Sequence, residues 1–311
     1  MIAYRTDLVP ATDGIRLALY RYREKAPTSE RAYLLVHGLA SNARLYDGVA
    51  ERLTGMGARV AAVDLRGHGG SDKPEEGYDY ETMSKDLLFV LERLEKEGWP
   101  EQVIAVGQSF GANLVLELAA RYGERLAGVV CIDGGTIDLK ARFSSWEEAE
   151  DALRPPSIEG MPISELEARL RAMHPDWPET GIAGTLANFA LRGDGTVAPH
   201  LSLDRHMRIV RTMWESRPSD LYQSLSLPVL FVPARSKGAP AAWAAAKEQA
   251  TAEALAAIGR AEAHVMEGDH DLHAQHPAEV ASLLEEAAGR LFRKSAGESR
   301  GSEHPLGRRT F

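Results

Sequence analysis

The sequence predicts an α/β protein in which a mostly parallel sheet is flanked by helices. Short apolar runs rich in β-branched residues recur along the chain, and each precedes a longer segment with helical spacing of its apolar residues. The runs are continuous rather than alternating, which is typical of strands covered on both faces. They are AYLLVHG from Ala32, RVAAVD from Arg59, QVIAVG from Gln102, GVVCID from Gly128, PVLFVPA from Pro228 and AEAHVME from Ala261.

A β-hairpin is predicted before this series of strands. Residues 2–9 and 15–22 alternate in polarity and flank the tripeptide TDG, whose Gly14 can adopt a positive φ. Helices are predicted in the segments between and after the strands, at 45–56, 80–97, 110–122, 240–258 and 277–292.

One long segment interrupts the alternation. Residues 135–226 are rich in Trp, Met, Pro and charged residues, with helical patterns at 146–153, 164–173 and 203–214 but no core strand. Because this segment starts and ends at the sheet, after the sixth strand, we predict a helical cap above the strand ends, where open α/β sheets bind ligands. The core would then be 1–134 and 227–293. The polar, Gly/Ser-rich residues 294–311 predict a disordered tail.

The composition of the chain argues against nucleic-acid and membrane partners. The chain has 311 residues and a net charge of −9, without an extended basic run, so no nucleic-acid partner is expected. No segment reaches the roughly 18 apolar residues that cross a bilayer, and the first residues lack the pattern of a secretory signal. We therefore expect a cytoplasmic protein with no membrane partner. The one cysteine, Cys131, lies in a predicted strand and is interpreted as inert packing.

The strongest chemical signal is GQSFG, residues 107–111, between the strand QVIAVG and a predicted helix. A serine on a strand-to-helix turn is held at a tight, strained corner, and the flanking glycines are needed because a Cβ would clash with neighbouring backbone. The helix N-terminus also favours negative charge forming beside Ser109. The alternative is an incidental serine in a glycine-rich loop; we predict that Ser109 is a nucleophile.

A serine nucleophile needs a base, and His270 is the favoured candidate among ten histidines. It follows the last predicted strand and so lies at the same sheet edge as Ser109. His37 and His68 also lie at strand ends and are alternatives, although a structural role is preferred for both. A metal site formed by His270, His273 and His276 with Asp269 or Asp271 is a further alternative, but no metal and no cofactor are predicted.

The acid that orients the imidazole is assigned to Asp133. This residue ends the strand GVVCID, which we expect next to the strand of Ser109. Asp269, Asp271 or no acid at all remain alternatives, and Asp133 would then only cap a turn. The backbone N–H groups of Phe110 and Leu39 are the expected donors to an oxyanion.

Together, HG from His37, DLRGHG from Asp64, GQSFG, and His270 ahead of a helix opening at Pro277 resemble the α/β-hydrolase superfamily, in its capped esterase, lipase and peptidase-like branch. The resemblance covers residues 2–292. It implies Ser109 as nucleophile, His270 as general base and then acid, and an oxyanion hole at Phe110 and Leu39. Many members carry the acid after the strand that corresponds to PVLFVPA, where this chain has RSKG; others place it one strand earlier, which matches Asp133.

The predicted function is serine hydrolysis of a carboxylic ester or lactone of moderate size that has an apolar portion. Serine at the elbow argues against epoxide hydrolases and haloalkane dehalogenases, which need a carboxylate there. Alternatives are an aminopeptidase, for which four cap carboxylates are available, a carbon–carbon bond hydrolase, and a non-catalytic receptor for a small ligand. Oligomeric state is not predicted. Cap residues expected to line the pocket, or simply to pack within the cap, are Phe143, Trp146, Met161, Trp177, Phe189, Met207, Met213 and Trp214. The four carboxylates are Glu147, Glu148, Glu165 and Glu167.

Overall fold

The computed structural model describes residues 4–22 and 30–292, and within them the predicted alternation of strands and helices is present. The strands are β1 (Tyr4–Pro10), β2 (Arg16–Tyr22), β3 (Ala32–Val36), β4 (Arg59–Val63), β5 (Val103–Gln108), β6 (Leu126–Ile132), β7 (Phe189–Leu191), β8 (Val197–Pro199), β9 (Val229–Val232), β10 (Ala234–Arg235), β11 (Ala261–Ala263) and β12 (Met266–Glu267).

Each predicted helical segment contains a helix within a few residues of its expected bounds, and three further helices in the described residues were not predicted. They are α1 (Asp47–Gly55), α2 (Tyr80–Lys96), α3 (Phe110–Tyr122), α4 (Leu139–Arg142), α5 (Trp146–Leu153), α6 (Ile163–Met173), α7 (Glu179–Leu186), α8 (Leu203–Glu215), α9 (Ala241–Ala257), α10 (Leu272–Gln275) and α11 (Pro277–Arg290). The predicted helix at 45–56 begins instead as a 3-10 turn, Ala43–Tyr46, which Asn42 caps by accepting a hydrogen bond from Arg44 N–H.

Eight strands form one sheet in the order β1-β2-β4-β3-β5-β6-β9-β11. The hairpin β1–β2 is antiparallel and joins β4 in antiparallel register, whereas the remaining neighbours are parallel. This arrangement confirms the predicted mostly parallel sheet. Because β3, β5, β6 and β9 run in the same direction, their carboxyl ends and the loops that follow them meet at one edge.

The continuous apolar strands have both faces covered, as predicted. On one face α2 and α3 pack over the sheet and bury side chains such as Leu87 and Val115. On the other face α1 and α11 contribute Leu53 and Leu284 to a second buried cluster. Cys131 is fully buried in β6, and burial raises the pKa of its thiol far above the ordinary value, in agreement with a packing role.

The last predicted strand, 261–267, is divided into two short pieces. β11 continues the main sheet beside β9, while β12 pairs with β10 in a separate two-stranded ladder. Pro233 lies between β9 and β10 and has no N–H to donate, so the ladder is interrupted there. The interruption redirects the chain just before His270.

Residues 135–226 contribute no strand to the main sheet. They form α4 to α8, of which α4 and α7 were not predicted, and the antiparallel pair β7–β8, which was also missed. The role of this inserted segment as a cap, and the domain boundaries, stay predictions. The predicted disordered tail, 294–311, lies outside the described residues. No helix in the described part of the chain is long and apolar enough to span a bilayer.

The DLRGHG motif contains a buried ion pair that supports the fold. Arg66 donates to both carboxylate oxygens of Asp86 at 2.7 and 2.9 Å, and both side chains are 1% exposed. Replacing Arg66 by Met should lower the free energy of unfolding by about 3–5 kcal/mol, because a charged carboxylate would be left buried without its partner. Urea unfolding measures this loss.

The matched control is Arg16→Met, which removes the exposed ion pair with Asp72. Exposed pairs contribute little because water screens them. If both variants lose the same stability, burial is not what makes the Arg66–Asp86 pair important.

Candidate active site

Ser109 lies at the sharp corner between β5 and α3. Its backbone has φ 53° and ψ −121°, a conformation that residues other than glycine adopt at an energetic cost. Hydrogen bonds on both sides hold the corner: Ser109 N–H donates to the carbonyl of Ile132, and its own carbonyl accepts from Ala112 N–H, both at 2.9 Å. The side chain is partly exposed at the sheet edge.

The flanking glycines are required by close backbone contacts. A Cβ on Gly107 would lie 2.2 Å from the carbonyl oxygen of Gly111, and a Cβ on Gly111 would lie 2.4 Å from that of His37. Both distances are far shorter than a non-bonded contact allows. The reason given for these glycines from the sequence therefore agrees with the backbone geometry.

Asp133 and His270 form a hydrogen-bonded pair at the same edge. Asp133 directly follows β6, the neighbour of β5, and its Oδ2 lies 2.5 Å from His270 Nδ1. The Asp133 side chain is only 4% exposed, whereas that of His270 is 52% exposed. The imidazole thus has one nitrogen fixed by a buried carboxylate and an accessible ring.

In this pair, hydrogen bonds and nearby charges counteract the effect of burial on the pKa values of both residues. Burial raises the pKa of the Asp133 carboxyl, but the hydrogen bond and charge of His270, together with the charge of Lys247, outweigh it and hold the pKa below 3.8. Partial burial lowers the pKa of His270, but the Asp133 hydrogen bond and the charges of Asp271 and Asp133 bring it above 6.5. Asp133 is therefore ionised, and the imidazolium form of His270 is stabilised.

The loops of Ser109 and His270 are in contact. Gln108, beside Ser109, donates from Nε2 to the carbonyl of His270 at 3.1 Å. Gly134, beside Asp133, packs so tightly on Ser109 that a Cβ there would lie 2.4 Å from the Ser109 carbonyl oxygen. Among the described residues the Ser109 hydroxyl makes no hydrogen bond to His270; in free enzymes such bonds are often long and shorten when substrate binds.

Two backbone N–H groups are available near Ser109. Within the described residues, neither Phe110 N–H nor Leu39 N–H donates a backbone hydrogen bond. Both neighbours of Leu39 are fixed: His37 Nδ1 lies 2.7 Å from Gly38 O, and Ala40 N–H donates to His68 Nε2. The loop that carries Leu39 is therefore held on both sides, as an oxyanion site requires.

His37 and His68 are occupied by structural contacts. His37 Nε2 accepts from Leu65 N–H, and His68 Nδ1 lies 2.9 Å from Arg66 O, so both nitrogens of each ring face backbone. Burial lowers the pKa of His37 to about 4 and that of His68 to about 3, which keeps both rings neutral. This geometry leaves neither ring free to act as a base.

The other candidate acids and metal ligands in the His270 loop make different contacts. Asp269 lies 3.8 Å from His174 in the inserted segment, and neither Asp269 nor Asp271 is hydrogen-bonded to His270 among the described residues. His273 is fully buried, its ring centroid 4.3 Å from that of Tyr46. No cluster of three His, Cys, Asp or Glu side chains suited to a metal occurs in the described ranges.

Lys247 is a site residue that the sequence reasoning missed. Its ammonium lies on α9 and donates to Asp133 Oδ1 at 2.7 Å and to Ala234 O at 3.0 Å. Ala234 N–H donates to the same Asp133 oxygen at 2.8 Å. The signal was weak: Lys247 shares one face of the alanine-rich α9 with the buried Thr251 and Ala254, and a lone lysine on such a face does not by itself indicate its partner.

The cap residues chosen from the sequence pack mostly among themselves and against the core. Trp146 and Trp214 meet edge to face at 6.2 Å, and Trp177 belongs to a buried cluster that the inserted segment forms with Leu45 and Ala274. A groove of about 310 Å³ is lined by Trp177, Arg52 and Gln275 among others, but by neither Ser109 nor His270. The contact of these residues with a substrate remains a prediction.

The four carboxylates of the inserted segment that were considered for binding an amine lie at the surface. Glu148 accepts hydrogen bonds from Ser144, and Glu165 and Glu167 pair with Arg169 and Arg171 in the next turn of α6. Glu147 is also exposed. Carboxylates engaged at the surface in this way do not form a pocket for a substrate amine, which weakens the aminopeptidase alternative.

Comparison with known proteins agrees with the fold and the motif. A family model for the alpha/beta hydrolase fold matches residues 33–172. A 2-(acetamidomethylene)succinate hydrolase of Mesorhizobium japonicum is 30% identical over 223 residues, which cover 69% of this chain and 74% of that protein. The chain belongs to the α/β-hydrolase superfamily, and this relative is named as a hydrolase.

Solved structures extend the likeness to nearly the whole chain. The crystal structure of E-2-(acetamidomethylene)succinate hydrolase superposes with a TM-score of 0.70 at 25% identity, covering 91% of this chain and 98% of that one. A thioesterase domain from the curacin biosynthetic pathway gives a TM-score of 0.71 at 20% identity, covering 91% and 99%. The second likeness concerns the fold alone.

Proposed function

We propose that this protein is a serine hydrolase that cleaves a small carboxylic ester or lactone through an acyl-enzyme on Ser109. The observation that carries the proposal is the 2.5 Å hydrogen bond between Asp133 and His270 at the edge where Ser109 is held at positive φ. A buried carboxylate, an accessible imidazole and a strained serine at one edge are the parts that acyl transfer needs.

The proposed cycle assigns one step to each group. His270 takes the hydroxyl proton as Ser109 attacks the carbonyl carbon, and Asp133 stabilises the imidazolium that forms. The proton then passes to the leaving alcohol as the bond to it breaks. Water, deprotonated by the same imidazole, attacks the acyl-enzyme, and the proton returns to Ser109 as the acid is released.

The negative charge on the carbonyl oxygen would be bound by the N–H groups of Phe110 and Leu39. Donors of this kind contribute about 3 kcal/mol each in other hydrolases, because they are oriented before the charge forms. The fixation of the Leu39 loop by His37 and His68 supports this assignment. An incoming carbonyl would thus meet donors that need no rearrangement.

A second candidate is hydrolysis of a small N-acyl compound. It is favoured by one observation, that the 30%-identical relative is named for a substrate containing an acetamido group. The nucleophile, base and oxyanion donors would serve an amide carbonyl equally well, with nitrogen as the leaving atom. A carbon–carbon bond hydrolase and a non-catalytic receptor also remain as alternative functions. The cytoplasmic location stays a prediction.

The test combines labelling and turnover. A fluorophosphonate probe should attach covalently to Ser109, as identified by peptide mass spectrometry, and the protein should release p-nitrophenol from p-nitrophenyl butyrate. A panel of esters, lactones, N-acetyl amides and aminoacyl amides then ranks substrate classes by kcat/KM. Labelling at another residue, or no turnover of any substrate, would overturn the hydrolase proposal; turnover of amides alone would favour the second candidate.

The proposal also predicts how activity depends on pH. His270 acts as a base only when neutral, and its pKa lies above 6.5, so kcat/KM should rise with pH through a midpoint above 6.5. The variant Asp133→Asn removes the hydrogen bond and charge that raise this pKa. Its midpoint should move to lower pH; an unchanged midpoint would show that Asp133 does not control the ionisation of His270.

A further inference from the structure

Lys247 is a charged side chain that donates a hydrogen bond to the carboxylate oxygen of Asp133 that does not face His270. The carboxylate divides its contacts: Oδ2 faces His270, while Oδ1 accepts from Ala234 N–H and from the Lys247 ammonium. The ammonium is held in turn by the carbonyl of Ala234. The Lys247 side chain is 37% exposed and Asp133 only 4% exposed, so the ion pair forms at the boundary between water and the buried acid.

These contacts restrict the carboxylate in two ways. Turning the carboxylate about its Cβ–Cγ bond, away from the observed orientation, would break the bonds of Oδ1 with Ala234 and Lys247 as well as that of Oδ2 with His270. The positive charge of the ammonium beside Oδ1 also favours the ionised carboxylate, whereas burial of Asp133 by itself favours the protonated form. When the imidazole is neutral, the ionised state of Asp133 is therefore stabilised by the charge of Lys247.

We propose that Lys247 is a positioning residue of the active site: its ammonium fixes Oδ1 of Asp133 so that Oδ2 stays directed at His270, and its charge offsets part of the attraction between the carboxylate and the imidazolium. The inference rests on the proposed function, since it assigns a role in the same site. It adds a group on α9, 114 residues away from Asp133 in the sequence, to the residues that control the base.

The charges around His270 come from several elements. Asp133 follows β6, Asp271 is the next residue of the loop and Lys247 projects from α9; Asp133 and Asp271 stabilise the imidazolium, while Lys247 destabilises it. From the inserted segment, His174 interacts with Asp271, as does Asp269 of the loop. The charge of Lys247 thus counteracts the effect of the two carboxylates on His270. Removing it should stabilise the imidazolium relative to the neutral imidazole.

A purely structural role is the competing explanation. Only Thr251 and Ala254 of α9 are buried, so Lys247 could serve simply to attach this helix. A second contact at the start of α9 provides the control: the guanidinium carbon of Arg142, in α4, lies 4.3 Å from the ring centroid of Trp243. Trp243→Ala loosens the same part of α9 without changing the charge beside Asp133.

The first experiment measures the pKa of His270 by NMR titration of ring-labelled full-length protein, and needs no substrate. In Lys247→Met the pKa of His270 should rise by about one pH unit, because removing a nearby positive charge stabilises the imidazolium. Lys247→Arg should restore it to within a few tenths of a unit, and Trp243→Ala should leave it at the wild-type value. An unchanged or lower pKa in Lys247→Met, or an equal shift in Trp243→Ala, overturns the inference.

The second experiment follows kcat/KM for p-nitrophenyl butyrate against pH. Lys247→Met should shift the midpoint upward by the same amount and lose up to about tenfold near neutral pH, where more of the base is protonated. Activity that falls equally at all pH values would indicate a structural role. Failure of the hydrolase proposal itself would appear differently, as absent turnover in wild type, while the titration of His270 would still decide the role of Lys247.

Discussion

Ser109→Ala should abolish turnover, with kcat reduced on the order of 10⁶-fold, the loss found when the serine of another hydrolase triad is removed. In the proposed cycle the hydroxyl oxygen forms the acyl-enzyme, and the backbone N–H groups of Phe110 and Leu39 cannot replace it. Residual activity would come from oxyanion stabilisation and binding alone. Steady-state and single-turnover rates with p-nitrophenyl butyrate measure the loss.

The variant also tests the strain at the corner. Alanine keeps a Cβ at φ 53°, so the backbone cost is unchanged and the thermal midpoint should stay close to that of wild type. Loss of activity without loss of stability would therefore report chemistry. If Ser109→Ala keeps more than a few per cent of the wild-type kcat, Ser109 is not the nucleophile. Equally low turnover in both proteins would favour the receptor alternative.

Asp133→Asn should lower kcat by about 10²- to 10⁴-fold. In the proposed mechanism the carboxylate accepts the Nδ1 proton of His270, so that Nε2 is the nitrogen that takes the hydroxyl proton of Ser109. An asparagine that presents its N–H₂ group to Nδ1 would stabilise the other tautomer, with the proton on Nε2. The base would then be present but unable to accept a proton.

Asp271→Asn is the matched control for this prediction. Asp271 is adjacent to His270 in sequence, and burial raises the pKa of its carboxyl, but it makes no hydrogen bond to His270 within the described ranges. We expect its kcat to stay within about tenfold of wild type, since only a through-space charge is removed. Full activity in Asp133→Asn, or a larger loss in Asp271→Asn, would reassign the acid.

Most of the secondary structure was readable from local patterns. Helix α3 matched the predicted bounds, because its apolar residues have helical spacing and the glycines of the elbow mark its start. The strands of the core were found because burial on both faces makes them continuously apolar. These features depend on residues close together in the chain, so a window of the sequence contains the information.

Elements that depend on distant contacts were missed. Helix α7 is short, and its buried residues Gly181, Ile182 and Gly184 give little helical signal by themselves. Strand β12 is separate from β11 because it pairs with β10, and β7 pairs with β8 inside the inserted segment. Pairing partners of short strands are chosen by the fold rather than by their own two or three residues.

The sequence by itself determined the superfamily, the strained serine corner and the sheet edge at which Ser109, Asp133 and His270 were expected. Only the tertiary structure decided that His270 bonds Asp133 across 137 residues, and that Lys247 holds the other oxygen of that acid. The physical reason is that backbone conformation follows from neighbouring residues, whereas the partner of a buried charge depends on which loops and helices the folded sheet brings together.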